Sequence, residues 1–242
     1  SHFVVEGLVD HLLNSGTLLA QSLMDQCIFD IVPMLNVDGV YLGNYRTSAP
    51  HPPTYPNGAD MESKYNDGGL GVAGFPECQA VIDQIVSWNN IPPTLPTAAP
   101  VEMILNLHST HGSNYPFHFR HAPNYFIDGT GVTPAVNLLE NLWINAFRFR
   151  SPTLVDLGTT ANSTLGSRGY IEAWANDRYS ADPAYSGPDI MAITYEGTYQ
   201  RGRNGVTWNT PDDWRENGRE MAEAIADYFG IVPSGMTLLE IH

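Results

Sequence analysis

Lysine is almost absent from this sequence: Lys64 is the only one among 242 residues, and 11 basic side chains stand against 26 acidic ones, for a formal net charge of −15. Binding a nucleic acid or an anionic membrane takes a basic patch that neutralises phosphates, so neither is an expected partner. Cysteine is scarce too. Cys27 and Cys78 are too few for a disulfide framework and lack C-x-x-C or zinc-finger spacing, so buried thiols are expected. Long apolar runs are missing: stretches such as Val101–Leu107 fall far short of the roughly 18 residues a membrane span needs. The opening Ser1-His2-Phe3-Val4-Val5-Glu6 has neither the basic start nor the small-residue cleavage site of a secretory signal, and the compartment is left open. Also lacking are the G-x-S-x-G elbow, the G-x-x-x-x-G-K-[ST] phosphate loop, a G-x-G-x-x-G fingerprint after a strand, and H-E-x-x-H. The commonest readable enzyme motifs are thereby excluded, as are internal repeats and low-complexity tracts.

What is present is an ordinary hydrophobic fraction of 43%, enough to build one core over residues 1–242 as a single domain. Val4, Val5, Leu8, Leu12 and Leu13 recur at helical spacing before Asn14-Ser15-Gly16, which predicts an opening amphipathic helix. Ile28–Leu35 reads as a short buried strand ended by the turn-forming Asn36-Val37-Asp38-Gly39. Between Thr47 and Gly74 the density of Pro, Gly, Asn and Asp predicts an ordered excursion. Pro76–Trp88 starts with Pro-Glu and reads as a helix, followed by a proline-rich linker, Ile91–Pro100. Val101–Leu107 and Ile190–Tyr195 read as buried strands, and Leu138–Phe149 and Asp212–Phe229 as helices. Strands alternating with helices predict an α/β fold.

Two strand ends carry chemistry: LNLHSTHG (Leu105–Gly112) and ITYEGTY (Ile193–Tyr199). Neutral imidazole is a good zinc ligand, and a nearby carboxylate can take a proton from an attacking water, so His108 and Glu196 suit metal-assisted hydrolysis. Taken alone, a histidine after an apolar strand is more often a structural, hydrogen-bonded group than a ligand, and a lone glutamate is a weaker signal still.

The segment IVPMLNVDGVYLGNYRTS (Ile31–Ser48) resembles the M14 zinc carboxypeptidases, particularly their cytosolic and bacterial branch, with Val37 replacing the usual proline. In the same chain order, PECQAVIDQI (Pro76–Ile85), NLHSTHG (Asn106–Gly112) and ITYEGTY resemble the family's P-E-x-x-A-V, D-L-H-G-H-S and T-x-E segments. VVEGLVDHLL (Val4–Leu13) resembles the helix that follows its first metal motif. The resemblance implies a three-layer α/β/α fold with a mixed, mainly parallel central sheet, shortened at its N-terminal side. It further implies hydrolysis of a peptide or small amide substrate with one zinc ion. It makes His108 a metal ligand, Glu196 the general base, and Arg46 the group that polarises the scissile carbonyl, a role that suits a fixed guanidinium. Arg168, in GSRGY (Gly166–Tyr170), is implied as a substrate-carboxylate partner, with Tyr170, Tyr199 and His111 near the pocket.

The sequence departs from that family in two places. The family's other two ligands lie in an H-x-x-E motif ahead of the first helix, and none stands at the start of this sequence. His2 and Glu6 are four apart rather than three, and Glu6 aligns with an ordinary helix position. The missing opening strands imply a sheet edge that self-association would cover. In the excursion, Glu62 and Ser63 stand where relatives carry an Asn–Arg fork for a terminal carboxylate; losing the bidentate donor and adding a like charge disfavours a free C-terminus. His111, His118 and His121 are candidates for substitute ligands or pocket residues. Two other readings stand beside the hydrolase: a repurposed, non-catalytic member serving in binding or assembly, and a metal-independent hydrolase using Ser109 with His111.

Overall fold

The structure is a computed structural model and describes residues 2–44, 47–50, 53–66, 74–90, 100–110, 113–129, 131–158, 169–199 and 207–233. In chain order the elements are α1 (His2–Asn14), α2 (Leu18–Gln26), α3 (Val37–Tyr41), α4 (Pro76–Asn89), β1 (Met103–Thr110), β2 (Phe117–His118), α5 (Tyr125–Asp128), α6 (Pro134–Arg150), α7 (Ile171–Ala175), β3 (Met191–Thr198) and α8 (Pro211–Phe229). A 3-10 turn, Met61–Ser63, lies in the excursion, and a π-helical turn, Asn176–Ser180, continues α7.

The helix boundaries follow the chain's own capping chemistry. Thr210 accepts from the Asp213 amide while the Asp213 carboxylate accepts from the Thr210 amide, a reciprocal capping box with Pro211 at the first helical position of α8. Thr133 caps α6 by accepting from the Val136 amide with Pro134 at its first turn, and Thr17 caps α2 by accepting from the Ala20 amide.

The sheet has the order β1–β3–β2, with β1 and β3 parallel and β2 antiparallel to β3. Both long strands are apolar on both faces over their first half, as sheets covered on two sides require. Met191, Ile193 and Tyr195, with Met103, Leu105 and Leu107, pack into one core with α1, α2, α6 and α8. The alternate residues Ile190, Ala192 and Ile104 pack into another with α4 and α7. The fold is therefore α/β, with helices on both faces of a mixed sheet.

On the first face α1 and α8 cross at close range. Gly218 lies in the interior of α8, and a Cβ added there would overlap the Val4 carbonyl oxygen of α1. Val4 and Leu8 then meet Met221, Ala222 and Ile225 in the core. Glu6 is an outward-facing helix residue, as the alignment implied, paired with Arg215 Nε at 3.0 Å.

One expectation is overturned. Ile28–Leu35 forms no strand: it is irregular and largely exposed, with Ile28 at 63% and Val32 at 54% of full exposure. Cys27 and Phe29 touch the α8-side core while Asp30 accepts from Trp88 Nε1 of α4 at 3.1 Å. Only Phe29 and Asp30 point to opposite sides as strand neighbours would, and residues 30–34 are all exposed. What is lacking among the described residues is a ladder, since β1 pairs only with β3, and a strand without backbone partners has little to hold it.

Candidate active site

The face of the sheet under α4 and α7 changes character along its length. Ile104 and Ala192 are apolar core residues, but the next residues on that face are Asn106 and His108 in β1 and Thr194 and Glu196 in β3. The parallel register aligns Asn106 with Thr194 and His108 with Glu196, so a polar floor forms at the carboxyl ends of the strands, where open α/β sheets present ligand groups.

Two further carboxylates come from outside the sheet. Glu62, on the 3-10 turn capped by Asp60, reaches His108 Nε2 with Oε2 at 2.8 Å and accepts from Asn106 Nδ2 through Oε1 at 2.8 Å. Glu172 of α7 is 3% exposed and accepts from the Thr194 hydroxyl. Asn106 Nδ2 also donates to Thr194 Oγ1 at 3.1 Å. These distant segments meet because the Tyr65 amide donates to the Gly169 carbonyl at 2.8 Å. At Gly169 any side chain would overlap the Ser63 carbonyl.

The electrostatics follow from this crowding of carboxylates. Burial presses the His108 imidazole down, but its hydrogen bond to Glu62 and the charges of Glu62, Glu196 and Glu172 override that and push it up to about 9. Burial raises the Glu172 carboxyl, helped by Glu62 and opposed by His121 and by the Thr194 hydroxyl. Because the folded value for His108 lies above its ordinary 6.5, its stabilising contribution is complete below pH 6.5 and is lost as pH rises through about 9. Urea midpoints measured across that window are expected to fall with rising pH, and to fall less in His108→Ala; an equal fall in both would remove His108 as the cause.

His118 and His121 are buried core groups rather than ligands beside His108. His118 pairs with Tyr195 in the β2–β3 register and lies on the opposite face, where its Nε2 accepts from Trp143 Nε1 at 3.0 Å and burial pushes it down to about 3. His121 is buried against α6, with Nδ1 2.5 Å from Glu140 Oε1 and its amide donating to Glu140 Oε2 at 2.9 Å. Tyr170 is half-buried at the start of α7, and Tyr199 packs edge-on against Trp214. Arg46, His111 and Arg168 lie outside the described residues.

Among the described residues no three His, Cys, Asp or Glu side chains converge to hold a metal ion, and the His108 nitrogen Nε2 is engaged by Glu62. These donors do not make a zinc site by themselves. No helix among them is long and apolar enough to cross a membrane.

The architecture is that of the metallocarboxypeptidases. The chain superposes on a metallo-carboxypeptidase from Burkholderia cenocepacia with a TM-score of 0.68 and 21% identity, over 96% of this chain and 54% of that one. A metallo-carboxypeptidase from Pseudomonas aeruginosa, in complex with (2-guanidinoethylmercapto)succinic acid, gives a TM-score of 0.65 and 17% identity over 93% of this chain and 52% of that one. Among particular proteins, the chain is similar to cytosolic carboxypeptidase 6 of Mus musculus, 50% identical over 48 residues, which is 20% of this chain and 9% of that protein. The chain therefore spans about half the length of the solved structures it matches, and the shared segment is a small part of the curated relative. No family model matches the chain. The likeness bears out the sequence resemblance to the cytosolic and bacterial carboxypeptidases, and with it the fold.

Proposed function

We propose that this chain is a metallocarboxypeptidase-like hydrolase that cleaves a peptide or small amide bond. The observation that carries the reading is the register that aligns His108 with Glu196 toward the carboxyl ends of two parallel strands. Glu196 takes the proton of the attacking water, and Arg46 steadies the charge that develops on the carbonyl oxygen. Arg168, Tyr170 and His111 are assigned to substrate binding by the resemblance. Glu62 and Ser63 in place of an Asn–Arg fork disfavour a free C-terminal carboxylate as the bound group. His108 is the ligand this chain offers to one zinc ion, whose remaining ligands come from outside the described residues.

A second reading, a fold kept for binding or assembly, is favoured by one observation: the ion pair with Glu62 favours the protonated imidazole of His108, whereas a metal ligand must be neutral. The zinc-to-protein ratio of the dialysed chain, measured beside His108→Ala, separates the two. A ratio near one that collapses in the variant is expected for the hydrolase; a ratio near zero supports the second reading. Sedimentation of the same sample tests self-association along the β1 side of the described sheet, and a monomer would remove it.

A further inference from the structure

We propose that Glu62 is the positioning residue of this site: its carboxylate holds His108 in one orientation, and Asn106, Thr194 and Glu172 hold Glu62 through a directional hydrogen-bond chain. The inference rests on the reading of His108 as a functional group, but its evidence is geometric.

The direction of each bond is forced by chemistry. Glu172 offers oxygen, so the Thr194 hydroxyl donates to it, which leaves Thr194 Oγ1 to accept from Asn106 Nδ2 at 3.1 Å. The same amide group donates its second proton to Glu62 Oε1 at 2.8 Å. Turning the Asn106 amide round would set its carbonyl oxygen against the Glu62 carboxylate, so the network permits one orientation. The other Glu62 oxygen then receives the His108 Nε2 proton at 2.8 Å.

Both oxygens of Glu62 are engaged, and its side chain is only 15% exposed. A carboxylate so committed is poorly placed to grip a substrate cation but well placed to orient an imidazole. Fixing one ring nitrogen leaves Nδ1 of His108 as the nitrogen for other work, the arrangement by which carboxylates orient functional histidines. Glu62 lies far from His108 in sequence, 46 positions away, and reaches it because the excursion folds back over the strand ends.

The test reads the ring protons of His108 in the full chain by long-range proton–nitrogen NMR, without metal or substrate, with signals identified by their loss in His108→Ala. In the native chain the Nε2 proton is expected to be observable and slow to exchange with water. In Glu62→Gln the charge-assisted bond is lost, and exchange is expected to quicken about tenfold, the equivalent of roughly 1.4 kcal/mol. Thr194→Val is expected to move the signal in the same direction and Thr194→Ser to restore it, whereas a merely structural role would leave the ring signal unmoved in both. An unchanged His108 signal in folded Glu62→Gln would overturn the proposal. Because the readout needs neither zinc nor turnover, a failed hydrolase reading with an intact Glu62 effect, or the converse, is told apart.

Discussion

If the proposed hydrolase reading holds, Glu196→Gln is expected to lower any hydrolysis by this chain about 10²–10⁴-fold, while the thermal midpoint stays near that of the native protein. Glutamine keeps the shape and length of the side chain, so the register of β3 against β1 is undisturbed. What it cannot do is take a proton. Glu196 stands at the point where the sheet face turns polar, beside His108 and apart from the buried Glu172, which is tied to Thr194. The measurement is initial rate on a peptide or amide substrate together with a melting curve. Turnover retained in the folded variant would take Glu196 out of the mechanism, and a lowered midpoint would mean its carboxylate also braces the sheet.

Gly218→Ala is expected to destabilise the fold, and here the sign alone decides between two physical arguments. Glycine inside a helix costs about 1 kcal/mol relative to alanine, so propensity predicts a gain. The structure predicts the opposite. The added Cβ would overlap the Val4 carbonyl oxygen, and backbone, unlike a flexible side-chain end, cannot move aside without parting α1 from α8. Val4, Leu8, Met221, Ala222 and Ile225 share that core, so separating the helices would loosen all of them. A loss of about 3 kcal/mol, at the upper end for overpacking, is the expected result in urea unfolding. A rise in stability would show that the crossing is looser than described.

The helices α1, α4, α6 and α8 and the strands β1 and β3 were legible because each carries its own evidence: apolar spacing, a proline start, a capping threonine, or a run of β-formers. Ile28–Leu35 has the same local credentials and forms no strand, since pairing is a property of two segments and its own sequence says nothing of the neighbour. The short helix α2 had a readable signal in Thr17 followed by Leu18, Leu19 and Leu23, although the helical period is weak over so few residues. In the site, His108 and Glu196 were found through their motifs. Asn106 and Thr194 were detectable in principle as the polar residues two before each on the same face. Glu172 and the contact made by Glu62 were not, because they meet through an excursion and a one-turn helix whose docking no local pattern records.

The crossing of α1 and α8 joins the two most distant helices of the chain, and Glu6 and Arg215, bridged across it, are 209 residues apart. In synthesis α1 precedes α8 by about two hundred residues, so the side of its Val4–Leu8 face that packs on Met221, Ala222 and Ile225 is uncovered until α8 has been made. The larger core closes only once both ends of this span are present, which gives the fold long-range contacts that form slowly and leaves α1 partly uncovered meanwhile.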